Sequence, residues 1–314
     1  PPHLSAIAKH MGVKINLNDW QKLGHDIPLL VNCKPAGEHL MERFYRSGGI
    51  PAVMQELLKQ KKLHKSVKTV SGKTLEQNLK IKINIDTDVI KSFDDPVVDN
   101  AGFIVMKSNF FNSAIMKTSV ISEEFRERYL SNPDHPNVFE GKAVMFEGPE
   151  DYHHRINSNK LKIDENSILM VRGCGPVGYP GSAEVVNMQP PDRLLKEGIN
   201  ALPTLGDGRQ SGTSESPSIL NVSPESAVGG DLAIVKTGDR IKIDLNKSRV
   251  DLLISAAEFK KRRKKKKLPK LINQTPWQEI SRNTVGQLED GACINSRGVY
   301  LDIVKKKGIP RNSH

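Results

Sequence analysis

The chain of 314 residues is 37% hydrophobic and 26% charged, a soluble balance with apolar mass for about two domains. Its net charge of +11 is local, because the run KKRRKKKK at 260–267 holds eight of the positive charges and leaves +3 for the rest. No apolar run approaches the roughly 18 residues of a membrane span, Pro1-Pro2 opens without the basic and apolar regions of a signal peptide, and Cys33, Cys174 and Cys293 are too few and too far apart for a disulfide framework or a local zinc site.

A soluble protein of a reducing compartment follows, with no membrane partner, cytoplasmic by default and mitochondrial if a leader precedes residue 1. The missing initiator Met makes residue 1 a processing or truncation point. Each cysteine reads as a small buried thiol.

In chain order, HLSAIAKHMG (3–12) predicts a helix closed by Gly12, IPLLV (27–31) a short buried strand, and GGIPAVMQELLKQKKL (48–63) an amphipathic helix after a glycine pair. Together they resemble part of an α/β layer. The polar NIDTDVIKSFDDPVVDN (84–100) reads as a connection. Beyond it strands dominate: GFIVMK (102–107), KAVMFE (142–147), SILMVR (167–172), DLAIVK (231–236), the period-two RIKIDL (240–245), and RVDLLI (249–254). His153 and His154 follow EDY on a short helix, where adjacent positions diverge and cannot chelate one metal.

Two glycine-rich segments compete for chemistry. GCGPVG (173–178) satisfies GxGxxG and follows an apolar run, but Pro176, Pro180 and Gly181 prevent a regular helix until about Ser182, so the dinucleotide fingerprint fails. The segment is instead a stiffened turn delivering SAEVV, in which Glu184 is either a helix-start acid or an oxygen ligand for a hard cation. GDGRQSGTS (206–214) lacks a Walker lysine and does not fit the GxSxG elbow. Ser211, with Thr213 two residues on and Arg209 two residues before, suits either an anionic substrate or a solvated turn.

The basic run follows SAAE, where Ser255 as N-cap and Glu258 form a capping box, so Lys260 onward are expected to be solvated later turns of a helix. Only Phe259 is aromatic there, and no nucleic-acid partner is expected. In TPWQ (275–278), Thr275 as N-cap, Pro276 and a reciprocal Gln278 predict a helix running toward Leu288.

The ordered set GCGPVGYPGSAEVVNMQPP (173–191) and LPTLGDGRQSGTSESPSILNVSPESAVGGDLAIVKTGDRIKIDL (202–245) resembles the C-terminal half of the dihydroxy-acid dehydratase and 6-phosphogluconate dehydratase family, closest to its sugar-acid (pentonate) branch. PPHLSAIAKHMGV (1–13), KPAGEHLMERFYRSGGIPAVMQELL (34–58), TVSGKTLEQN (69–78), MFEGPEDYHHRI (145–156), TPWQEISRNTVGQL (275–288) and GIPRNSH (308–314) agree in the same order. The resemblance implies a mixed α/β chain. Its 1–95 would be the tail of an N-terminal α/β cluster-binding domain, and its 96–314 a β-rich, swivelling, barrel-like domain with peripheral helices.

The resemblance also implies a hydro-lyase that removes water from a 2,3-dihydroxy acid or sugar acid to give a 2-keto acid, using an iron-sulfur cluster of the 2Fe-2S type and Mg2+. In it Ser211 is the alkoxide base, Thr213 a supporting hydroxyl and Glu184 a magnesium ligand. None of the three cysteines matches the family's cluster cysteines, which are expected upstream of Pro1, so the chain is expected to be a fragment inactive by itself. A homo-oligomer, dimer or tetramer, is implied. SNFFN (108–112) departs from the family's usual GNLAP, and a branched-chain dihydroxy-acid substrate or a basic binding module are the alternative readings.

Overall fold

The computed structural model describes residues 1–212, 217–294 and 305–308. Among them are α1 (Pro2–Met11), α2 (Leu17–Gly24), α3 (Met41–Arg46), α4 (Gly49–Lys59), α5 (Leu75–Asn78), α6 (Glu123–Tyr129), α7 (Pro149–Arg155), α8 (Asp192–Lys196), α9 (Ala256–Lys265) and α10 (Pro276–Thr284). The strands are β1 (Phe103–Ser108), β2 (Ser113–Lys117), β3 (Val138–Phe146), β4 (Ser167–Val171), β5 (Thr204–Gly206), β6 (Ile219–Ser223), β7 (Arg240–Asp244) and β8 (Arg249–Leu252). The chain is mixed α/β, and its strands close into one barrel in the order β1-β2-β6-β5-β4-β3-β7-β8.

Alternation of side chains along a strand explains the two cores of the barrel. Ile104, Met106, Met145, Ile168, Met170, Ile241 and Leu252 belong to one cluster, to which all eight strands contribute, and fill the interior. Val144, Phe146, Leu169 and Val171 point the other way and are covered by Phe125 and Tyr129 of α6, Tyr152 of α7 and Leu194 of α8. Strand β4 is therefore buried at all five positions, as expected of a strand flanked by parallel neighbours and covered on both faces.

Residues 1–100 carry α1–α5 and isolated bridges, with a separate small cluster of Cys33, Phe44, Ala52, Val89 and Ile90. α1 ends as expected at Gly12. The expected strand at 27–31 reduces to single bridges, Leu29 with Val98 and Val31 with Ile90. Pro28 removes one donor and the irregular 81–100 segment offers no continuous partner.

One expected strand is absent. Residues 231–236 form a 3-10 turn, Asp231–Ile234, although Leu232, Ile234 and Val235 all enter the interior cluster. The Arg172 guanidinium takes the carbonyls of Leu232, Ala233 and Val235, which removes them from any ladder. α10 stops at Thr284 rather than near Leu288, because Val285 turns to extended backbone and bridges Ile294. Thr275 caps it through the Gln278 amide as expected, but the Gln278 side chain accepts from Gln274 N instead of from the cap residue.

Candidate active site

Strands β3, β4 and β5 run parallel, so the segments leaving their C-terminal ends gather on one rim of the barrel. These are Glu147 after β3, the glycine turn 173–178 after β4, and 207–212 after β5. Carboxyl ends of parallel strands are where α/β proteins place ligands, and here the two glycine-rich segments of the sequence become neighbours.

The glycine turn is built around the protein's own carboxylates. Asp207, fully buried, accepts from Gly173 N at 3.1 Å, Cys174 N at 2.8 Å, Ser226 N at 2.9 Å and Ser226 Oγ at 2.6 Å. Glu225, 1% exposed, accepts from Val177 N at 2.9 Å, Gly178 N at 2.8 Å and Gln287 Nε2 at 2.9 Å. A Cβ on Gly175 would lie 2.5 Å from Glu225 Oε2, and one on Gly178 would lie 2.7 Å from Gly173 O. These glycines admit a carboxylate side chain and a backbone carbonyl, so four amides of the segment that mimics a phosphate loop are already occupied. From the C-terminal side, Arg282 of α10 donates to Val177 O and Gly178 O and closes the turn.

Burial raises the pKa of Asp207 and of Glu225, and the amides that bond each carboxylate oppose the rise. Burial, and then the charge of Asp207, pushes the Cys174 thiol up, which makes it an inert core group.

Glu184 does not start a helix. Ser182 takes a left-handed conformation at φ 55, and Glu184 continues as extended backbone in a parallel bridge with Arg209. The pairing is doubly tied, by Arg209 N to Ala183 O at 2.8 Å and Val186 N to Arg209 O at 3.1 Å. The Arg209 guanidinium donates to Glu184 Oε1 at 3.1 Å, Ser182 O at 2.9 Å and Gly181 O at 3.2 Å. Its charge is thus directed into the rim as a brace. The Glu184 carboxylate keeps 45% side-chain exposure and is the solvent-facing member of the pair.

Ser211 follows Arg209 by two residues and is partly exposed. The bridge therefore brings the Ser211 segment and Glu184 to one rim. Thr213 lies outside the described residues, as does His314. His153 and His154 are exposed on α7.

The three cysteines are buried, and their Sγ atoms contact backbone carbonyls: Leu40 O, Arg172 O, and both Ala6 O and Gly291 O. They lie in different parts of the fold and do not fit an iron-sulfur cluster. No group of three His, Cys, Asp or Glu side chains among the described residues is arranged to hold a metal ion. Glu184 presents a half-exposed carboxylate, the kind of oxygen donor of which magnesium commonly takes one or two, although one of its oxygens already accepts from Arg209.

Sequence reasoning singled out Glu184, Arg209 and Ser211 but missed Asp207 and Glu225. The only local signal was an acid between two glycines in GDG after an apolar strand.

The parallel-strand rim carries a carboxylate, a hydroxyl and a braced glycine turn, and comparison with known proteins gives the family. The profile of the dihydroxy-acid/6-phosphogluconate dehydratase C-terminal domain matches residues 88–292, and that of the N-terminal domain matches residues 1–78. The chain belongs to this dehydratase family. It is 54% identical over 314 residues to the D-xylonate dehydratase of Caulobacter vibrioides, covering 100% of this chain and 52% of that protein. It is 41% identical over 261 residues to the L-arabinonate dehydratase of Rhizobium leguminosarum bv. trifolii, covering 83% and 43%. With the dihydroxy-acid dehydratase of Ignicoccus hospitalis the identity is 33% over 262 residues, covering 83% and 45%. The chain spans about half the length of the curated relatives it matches.

Proposed function

We propose that the chain supplies the base-bearing part of a hydro-lyase that converts a sugar acid, a 2,3-dihydroxy acid, to its 2-keto acid. The observation that carries the reading is the Glu184–Arg209 bridge, which joins the carboxylate and the Ser211 segment on the rim after β4 and β5. Identity to the D-xylonate dehydratase favours a pentonate over a branched-chain dihydroxy acid.

In this reading Ser211 Oγ, as alkoxide, takes the proton from C2. The 3-hydroxyl departs as water by taking up the proton that Ser211 removed, which returns the serine to its alkoxide, and the C2–C3 enol tautomerises to the ketone. Thr213, two residues on in the sequence, is assigned the role of a supporting hydroxyl. A serine hydroxyl is too weak a base at its free pKa and needs cationic surroundings. Arg209 is committed to Glu184 and to carbonyls. Glu184 would give one oxygen to magnesium, which when bound supplies positive charge beside the serine and the substrate carboxylate. The described cysteines, buried and far apart, offer no ligand set for an iron-sulfur cluster.

Residues 1–95 are proposed as the end of the family's N-terminal domain and 96–314 as its swivelling C-terminal domain, in a cytoplasmic homo-oligomer. Matches to the two family profiles at 1–78 and 88–292 support a division near that point.

The test is keto-acid release from D-xylonate, L-arabinonate and dihydroxyisovalerate by the protein that carries these 314 residues. Ser211→Ala is expected to lower turnover by about 10²–10⁴-fold with metal content retained. Turnover within a few-fold of wild type overturns the base assignment. Glu184→Gln is expected to raise the magnesium concentration for half-maximal activity by roughly tenfold or more. An unchanged magnesium titration removes Glu184 from the metal.

A further inference from the structure

The basic run is anchored, and the anchoring sorts its charges. In α9, Ser255 caps the helix and Phe259 packs on the interior cluster of the barrel. Arg262, 12% exposed, donates to both oxygens of Asp239 and to Glu258, and Lys266 pairs with Asp231 at 2.8 Å and also bonds Gly229 O. Arg263 pairs with Asp231 at 3.0 Å. Lys260, Lys264, Lys265, Lys267 and Lys270 are exposed and have no acidic partner among the described residues.

At the helical repeat of 3.6 residues, Lys260 and Lys264 form one outward row and Lys261 and Lys265 a second, each pair about 6 Å apart along the axis. Like charges at this spacing oppose helix formation, and the Arg262 and Lys266 pairs hold the helix in place against that repulsion. The result is an anchored cationic helix face, followed by Lys267 and Lys270 in irregular backbone.

Against the expectation from the sequence, we propose that this outward face of α9, continued to Lys270, binds the phosphate backbone of duplex nucleic acid without sequence preference. The residue type selects the partner. Lysine is depleted in protein–protein interfaces but serves well as a point charge for phosphate. Phe259 is packed inward, so no aromatic platform is offered to unstacked bases, and a duplex is preferred to a single strand. Lysine point charges contact phosphates, which carry no sequence information, so binding is by charge alone. The proposal is independent of the dehydratase reading.

The test is fluorescence anisotropy of a labelled 20-base-pair DNA duplex titrated with the full chain between about 50 and 300 mM KCl. Five neutralised phosphates give a slope of log K against log salt of about −4.5. The variant Lys260→Gln/Lys264→Gln/Lys267→Gln is expected to bring it to about −2, while Lys→Arg at the same positions keeps the wild-type slope. Lys22→Gln/Lys160→Gln/Lys196→Gln removes equal charge from exposed positions elsewhere and is expected to leave the slope unchanged. Absence of binding at 50 mM salt overturns the proposal, as does equal loss in both glutamine variants. Tighter binding of single-stranded DNA or of poly-glutamate than of the duplex also overturns it.

Discussion

Asp207 and Glu225 are buried acids whose work is structural, and their neighbours set a pH signature. Seven hydrogen bonds reach the two carboxylates, from backbone amides, one serine hydroxyl and one glutamine amide. For Glu225, burial nevertheless holds the folded-state pKa above that of the unfolded chain. A raised acid contributes stability that is fully present below its unfolded pKa and lost as pH rises through its folded pKa. Glu225→Gln does not titrate. The thermal midpoint of wild type relative to this variant is therefore expected to be highest near pH 4 and to fall toward pH 7, as read by calorimetry in parallel buffers. A constant difference across that range would show that Glu225 has the same pKa folded and unfolded. The sequence displayed these acids only as ordinary letters, because their partners are remote: Asp207 meets Gly173, Cys174 and Ser226 across 34, 33 and 19 residues. The Ser211 and Glu184 segments stand out in the sequence because they lack apolar side chains or are stiffened by proline, which is local information.

At the scale of elements, local patterns were sound where a strand or helix satisfies its own backbone and misled where a side chain intervened. The alternating RIKIDL holds strand β7, while the more apolar DLAIVK is a turn because Arg172 binds its carbonyls. The same logic governs α10. Thr275 and Pro276 announce its start, but its function is set by Arg282, which donates to Val177 O, Gly178 O and Ile272 O at 2.9, 3.3 and 2.7 Å, and by the exchange of hydrogen bonds between Gln287 and Glu225. The helix and the turn after it thus clamp the glycine turn from outside the barrel. Arg282→Ala leaves these carbonyls to water and is expected to cost about 2 kcal/mol. The loss should be localised. Hydrogen exchange of the Val177 and Gly178 amides should accelerate while amides of β3 and β4 keep their protection, and uniform acceleration would mean that α10 supports the barrel rather than the turn.

For the whole molecule, the decisive question is how residues 1–100, with their own small core, hold to a closed barrel. The contacts that join them include α1, whose Ala6 O meets Cys293 Sγ, the Trp20 ring set edge-on to Phe103 at 6.4 Å, Gln21 bonded through its two amide atoms to Val105 N and Ser248 Oγ, and the chain reversal at Gly24 and His25 pressed on Gly102. The last is the tightest. A Cβ on Gly102 would fall 2.0 Å from Gly24 O and 2.8 Å from His25 Cα, both backbone atoms that no rotamer change can move. Gly102→Ala must therefore push α2 away from β1, breaking the Gln21 bonds together with the ring contact, at about 2–3 kcal/mol. Because the barrel interior is complete without residues 1–100, the damage should not spread into it. Wild type should melt in one transition and Gly102→Ala in two, the earlier accompanied by proteolytic cleavage within 81–100 and the later by loss of β signal. A single transition displaced as a whole would instead show that the small core and the barrel fold as one unit, with α2 contributing stability to both.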